Sequence, residues 1–273
     1  MQDVALEIVR FISGPNDLVA FLEAVRPVDR SEVLDSLRAL MLAIPSERLW
    51  PEPMLDYASD ALLGVFERTL PAFYALRIGS DVAFLRPPLL RLPPSTAVIL
   101  TNASVFSEEI GDVFTPWPTN LVEMSLFLAC DVADKASLCR AWRDCCQLQR
   151  VDVQFESLIQ TQLDAFMDVA RTSWPCLQHF CLSVEKDGSN ASAEFESSDS
   201  VCAWVMHTSA TSLGLSEMSF PGATGIALSQ TLFDTKTALT SLVLEHVDGL
   251  EPPSSLSSNL KSLVLHSLEL TPS

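Results

Sequence analysis

Basic residues are scarce in this chain: 17 Lys and Arg stand against 35 Asp and Glu, a net charge of −18. Binding to a phosphate backbone needs clustered cations, so the composition argues against nucleic acid as a partner. A basic or neutral protein partner fits better, and the same balance also serves solubility. No run of 18 uninterrupted apolar residues occurs, so no membrane-spanning helix and no membrane partner are expected. Asp3, Glu7 and Arg10 interrupt the amino-terminal apolar stretch and spoil it as a signal peptide. GxSxG, GxxxxGK, HExxH and a strand-linked GxGxxG are all missing, so the sequence predicts no enzyme, with no catalytic, cofactor or metal residues. The seven cysteines form an odd set with no CxxC pair and no His spacing suited to zinc. Reduced, mostly buried thiols in a cytoplasmic or nuclear protein are expected. On that reading the sequons at Asn102 and Asn190 carry no sugar.

Apolar residues are plentiful: 48% of the chain is hydrophobic and 19% charged, enough for a continuous core in 273 residues. They are also patterned. With Val, Met or Phe allowed, LxxLxL occurs as Leu121-Met124-Leu126, Leu148-Val151-Val153, Leu177-Phe180-Leu182, Leu215-Met218-Phe220, Leu239-Leu242-Leu244 and Leu260-Leu263-Leu265. The starts lie 27, 29, 38, 24 and 21 residues apart. Phe73-Leu76-Ile78 and Ser95-Val98-Leu100 keep the same step upstream.

Alternate strand residues share a face, so positions 4 and 6 of each unit point inward and positions 3, 5 and 7 outward. The outward set nominates Glu123, Ser125, Phe127, Arg150, Asp152, Gln154, His179, Cys181, Ser183, Glu217, Ser219, Glu245 and His266 for contact with a partner protein. His179 and Cys181 are alternate residues of one strand, which suits surface contact better than a nucleophile pair. Between strands, 134–146, 158–172, 199–207 and 226–235 read as helices, whereas 248–259, with Pro252, Pro253 and four serines, is expected to cross over without one.

These units resemble the leucine-rich-repeat family over about residues 70–270, in which 20 to 29 residues supply one strand and one helix or turn. The resemblance implies an α/β fold: an irregular solenoid over 73–273 with parallel strands on its concave face and helices or turns outside. The family's Asn or Cys ladder position holds Ala129, Glu156, Glu185, Ala223, Val247 and Leu268, as in divergent arrays rather than regular horseshoes. The last unit is the most regular, yet only Thr271-Pro272-Ser273 follows it, so an open strand edge and self-association, or a shortened array, are expected.

Residues 3–50 do not repeat and read as three helices: one over 3–13, one capped by Asn16 or Asp17 with Leu18, Phe21, Leu22 and Val25 inward, and one after Ser31. Residues 51–72 form a linker or first capping helix. The stretch DVALEIVRFISGPNDLVAFLEAV resembles the start of an F-box, with Val4, Ile8, Phe11 and Ile12 on the first helix, Pro15, Asp17 and Leu18 in the Pro-x-Asp-Leu turn, and Leu49-Trp50 at the close. The family's opening Leu-Pro is missing, and Val25-Arg26-Pro27-Val28 stands in place of its Val-Cys-Lys-x-Trp segment. The resemblance implies docking on a Skp-type adaptor through Val4, Ile8, Ile12, Pro15, Asp17 and Leu18, with an unknown protein substrate held on the repeats. The alternative is a helical segment that only caps the first repeat of a non-ligase scaffold.

Overall fold

The computed structural model describes residues 4–54, 60–79, 92–106, 117–129, 139–185, 192–206, 210–253 and 256–267. The chain divides into two compact units, Met1–Ala103 and Ser104–Ser273. Nine strands lie among the described residues, and the ladders β1–β2, β3–β4–β5–β7–β8–β9 and β6–β7 are all parallel, so the fold is mixed α/β.

The first unit begins with α1 (Val4–Phe11), α2 (Pro15–Ala24), α3 (Glu32–Ala43), α4 (Ser46–Leu49) and α5 (Asp60–Thr69). Gly14, not Asn16 or Asp17, caps α2, and Pro15 occupies its first turn. Proline suits that place because its fixed φ is helical and its missing N–H has no helical partner there. Leu34, Leu37 and Leu40 on α3, Leu18 and Leu22 on α2, and Phe66 on α5 make the core. Phe73 extends it, with ring centroids 6.0 Å from Phe66 and 5.6 Å from Trp50. β1 (Ala75–Ile78) then pairs with β2 (Ala97–Phe106), matching Leu76 to Val98 and Ile78 to Leu100 as the upstream spacing predicts.

The second unit alternates strand and connection: β3 (Leu121–Ala129), β4 (Arg150–Phe155), α6 (Gln160–Ser173), β5 (His179–Val184), β6 (Ala193–Glu194), α7 (Asp199–Val205), β7 (Ser212–Ser219), α8 (Ala223–Leu232), β8 (Ser241–Asp248) and β9 (Ser262–His266). Its strands follow one another as β3-β4-β5-β7-β8-β9, with β6 against the far end of β7, in an open order. Residues 139–142 are helical within the first expected insert, and no helix occurs among the described residues of 249–261. The apolar stripe of α6 buries Leu163, Phe166, Met167 and Ala170, as its period predicts. Phe166 meets Phe155 at 5.6 Å and Phe180 at 5.5 Å, while Trp204 of α7 meets Phe180 at 5.1 Å, so these helices cover the inward strand face. Phe195, just after β6, is buried and stacks on Phe220 at 5.5 Å.

Two features correct the sequence reading. Phe180 and Leu182 pair with Leu213 and Leu215, so the fourth unit is Ala210-Leu213-Leu215 rather than Leu215-Met218-Phe220. Ala210 is fully buried where the other units place Leu, and its small side chain hides the repeat. The second is on β9: Leu265, an expected core position, is about half exposed, because this strand has a neighbour on one side only among the described residues.

Candidate interaction surface

The parallel register turns the outward strand positions into three continuous rows. The first runs Glu123, Arg150, His179, Ser212, Ser241, Ser262. The second runs Ser125, Asp152, Cys181, Gly214, Val243, Val264, and the third Phe127, Gln154, Ser183, Ser216, Glu245, His266. The nine candidates on β3, β4 and β5 therefore lie on one face, joined by Glu245 and His266. Each is exposed or half-buried, while Val151, Val153, Phe180 and Leu182 between them are buried.

Glu217 and Ser219 fall outside these rows, a correction that follows from the slipped fourth unit. Ser212, Gly214 and Ser216 take the positions assigned to them. Glu217 has φ 60°, and His246 on β8 and Ser267, just after β9, both have φ 51°. A left-handed residue breaks strand alternation, so burial resumes at Met218 and Val247, one residue later than a regular strand would allow. That shift also made Leu215-Met218-Phe220 imitate the motif. Ser219 pairs with Asp248 and Glu194 at the far end of β7.

The middle row carries the surface's unusual electrostatics. Burial pushes the Cys181 thiol up to about 12, and the neighbouring Asp152 charge adds to the rise. Burial also raises the Asp152 carboxyl, against the opposing pull of Arg150. Cys181 is thus a protonated thiol beside a carboxylate, unsuited to nucleophilic attack, which needs the thiolate. Gly214 makes room for it: a Cβ there would lie 2.7 Å from the Cys181 sulfur. The six described cysteines are all free.

On the first unit the adaptor candidates separate. Val4 is 70% and Ile8 45% exposed, and Phe11, outside the candidate set, is 82% exposed on the same helix. Asp17 is exposed, and Ile12 and Pro15 are half-buried. Leu18, expected at the docking surface, is 0% exposed, because α2 turns Leu18 and Leu22 into the core. Helix α1 is held by its other side. Val9 is buried, Arg10 Nη2 donates to the Pro71 carbonyl at 2.7 Å, and Trp50 Nε1 donates to the Ile12 carbonyl at 2.7 Å. The sequence sets Phe11 on the same helix face as Val4 and Ile8, and only the docking set left it out.

No known family model matches the chain, and no curated protein matches it in sequence. No helix of the described residues is long and apolar enough to cross a membrane.

Proposed function

We propose that this chain is a cytoplasmic or nuclear substrate-recognition adaptor of an SCF-type cullin-RING ubiquitin ligase, built as an F-box-like helical end followed by an irregular leucine-rich-repeat solenoid. Val4, Ile8 and Phe11 would dock a Skp-type adaptor, and the outward strand rows would hold a protein substrate. The observation that carries the reading is the apolar face of α1, exposed on a helix whose opposite side is anchored. Exposed large side chains grouped on one face mark interaction sites, whereas scattered ones do not. The repeat reading is supported by unit starts at 121, 148, 177, 210, 239 and 260, whose intervals of 27, 29, 33, 29 and 21 residues each step one strand along the path β3-β4-β5-β7-β8-β9. The half-exposed Val264 and Leu265 of β9 support self-association as a further contact.

Burial of Leu18 favours the second reading, a scaffold without ligase function, because it removes one apolar contact from the Pro-x-Asp-Leu turn. Co-elution of the full chain with a purified Skp-type adaptor and its cullin partner separates the two. A stable ternary peak supports the adaptor. A chain that elutes alone at every concentration tested leaves the scaffold.

A further inference from the structure

Outside the middle of the surface, at the β8–β9 end of the sheet, the side chains of Glu245, His246 and His266 converge. The ladder sets Glu245 directly beside His266. The left-handed backbone at His246 interrupts alternation, so this residue shares the solvent side with its predecessor instead of entering the core. The two imidazole rings lie 5.5 Å apart, nearly perpendicular at 84°. His266 Nδ1 is 3.4 Å from Glu245 Oε1, and one donor atom from each of the three residues lies within 4.8 Å of the others.

We propose that Glu245, His246 and His266 form a binding site for a divalent zinc-type transition-metal ion. Two imidazole nitrogens with one carboxylate oxygen suit zinc, whereas magnesium and calcium prefer oxygen ligands alone. With metal–ligand bonds of about 2.0–2.1 Å, ligand atoms of a tetrahedral site stand roughly 3.4 Å apart. The widest separation in the cluster is 4.8 Å or less, so closing the site takes side-chain rotation alone, and Glu245 and His266 are exposed enough to make it. Glu217 supplies a supporting carboxylate, its Oε1 3.8 Å from His246 Nε2. A carboxylate beside a ligating histidine orients the ring and raises its basicity. Three protein ligands leave the fourth position to water or to a donor from a partner. A bound ion would join β9 to β8 and stabilise the folded chain by mass action. The sequence conceals the site because its ligands sit in different repeats and meet only through strand pairing.

The test is calorimetric titration of the tag-free full chain with zinc chloride, repeated with cobalt(II) to read coordination from its visible absorption. The expected result is one ion per chain, a tetrahedral cobalt spectrum and a zinc-dependent rise in thermal midpoint. His246→Asn together with His266→Asn should abolish all three, with Asn chosen because it tolerates the left-handed backbone. Glu217→Gln should weaken binding about 10–100-fold, and His179→Ala should leave it unchanged. If the double variant fails to fold, as judged by far-UV circular dichroism, the surface variant Glu245→Ala decides, with at least a tenfold loss of affinity expected. Absence of zinc binding by the wild-type chain, or wild-type affinity in either ligand variant, overturns the proposal.

Discussion

Helix α1 of the first unit and strands β4 and β5 of the second treat their apolar side chains in opposite ways. In Met1–Ala103, α1 buries Val9 but turns Val4, Ile8 and Phe11 outward. In Ser104–Ser273 the strands from β4 to β5 bury every apolar position and give the outward face to Arg150, Asp152, Gln154, His179, Cys181 and Ser183. Exposed apolar area on a helix needs a partner to cover it, while a polar strand face is stable in water without one. The contrast points to two kinds of contact: a helix face suited to a lasting hydrophobic interface, and a strand face suited to selection among partners by charge and hydrogen bonding.

The sharpest way to break this contrast is to attack the core beneath the polar face. Phe166 touches the rings of Trp142, Phe155, Trp174 and Phe180 at 4.9 to 5.8 Å. Phe166→Ala should cost about 3–5 kcal/mol in urea unfolding; a loss below about 1 kcal/mol would mean that the inward face is not close-packed.

A second variant sharpens the corrected register. Ala210 is fully buried, so Ala210→Leu should cost about 1–3 kcal/mol through overpacking. Ser212→Leu, two residues along and facing outward, should stay within about 0.5 kcal/mol. Equal costs would contradict the Ala210-Leu213-Leu215 unit.

Smaller effects test the middle row. Gly214→Ala sets a Cβ 2.7 Å from the Cys181 sulfur, so it should destabilise the wild type and do so less in a Cys181→Ala background. A double-mutant cycle should show coupling of about 0.5–3 kcal/mol for residues in such contact, and additivity would remove the claimed contact. Smallest of all is the effect at Asp152, whose carboxyl is raised by burial. A raised carboxyl pKa means that the charged form is disfavoured in the folded chain, at a cost fully present at neutral pH that fades as pH falls through the raised value. Asp152→Asn should therefore raise the thermal midpoint slightly at neutral pH, and the gain should vanish on acidification. A gain that grows with acid would contradict the assignment.

Much of this is legible in the sequence. Strand alternation placed Arg150, Asp152, Gln154, His179, Cys181 and Ser183 outward because their inward neighbours are all large and apolar. What escaped depended on three-dimensional neighbours. Ala210 is too small to register as a motif leucine, yet it fills its place in the core. The left-handed residues at 217 and 246 shift the alternation without any glycine to announce them. On α2 the helical period turns Leu18 inward, against the docking role the F-box resemblance implies for it, while on α1 periodicity alone does not say that the face carrying Phe11 stays out. Gly225 shows the same limit: a Cβ there would clash with the carbonyls of Phe220 and Gly249, a requirement set by a chain segment more than twenty residues away.

The claim of two separate surfaces is tested most directly by titrating a purified Skp-type adaptor against the full chain and two sets of folded variants. The account predicts that Ile8→Asp with Phe11→Asp abolishes adaptor binding with an unchanged far-UV spectrum, since both side chains are exposed, while Arg150→Glu with Gln154→Ala on the strand face leaves the affinity as it was. No adaptor binding by the wild type, or equal binding by the α1 variant, would contradict it.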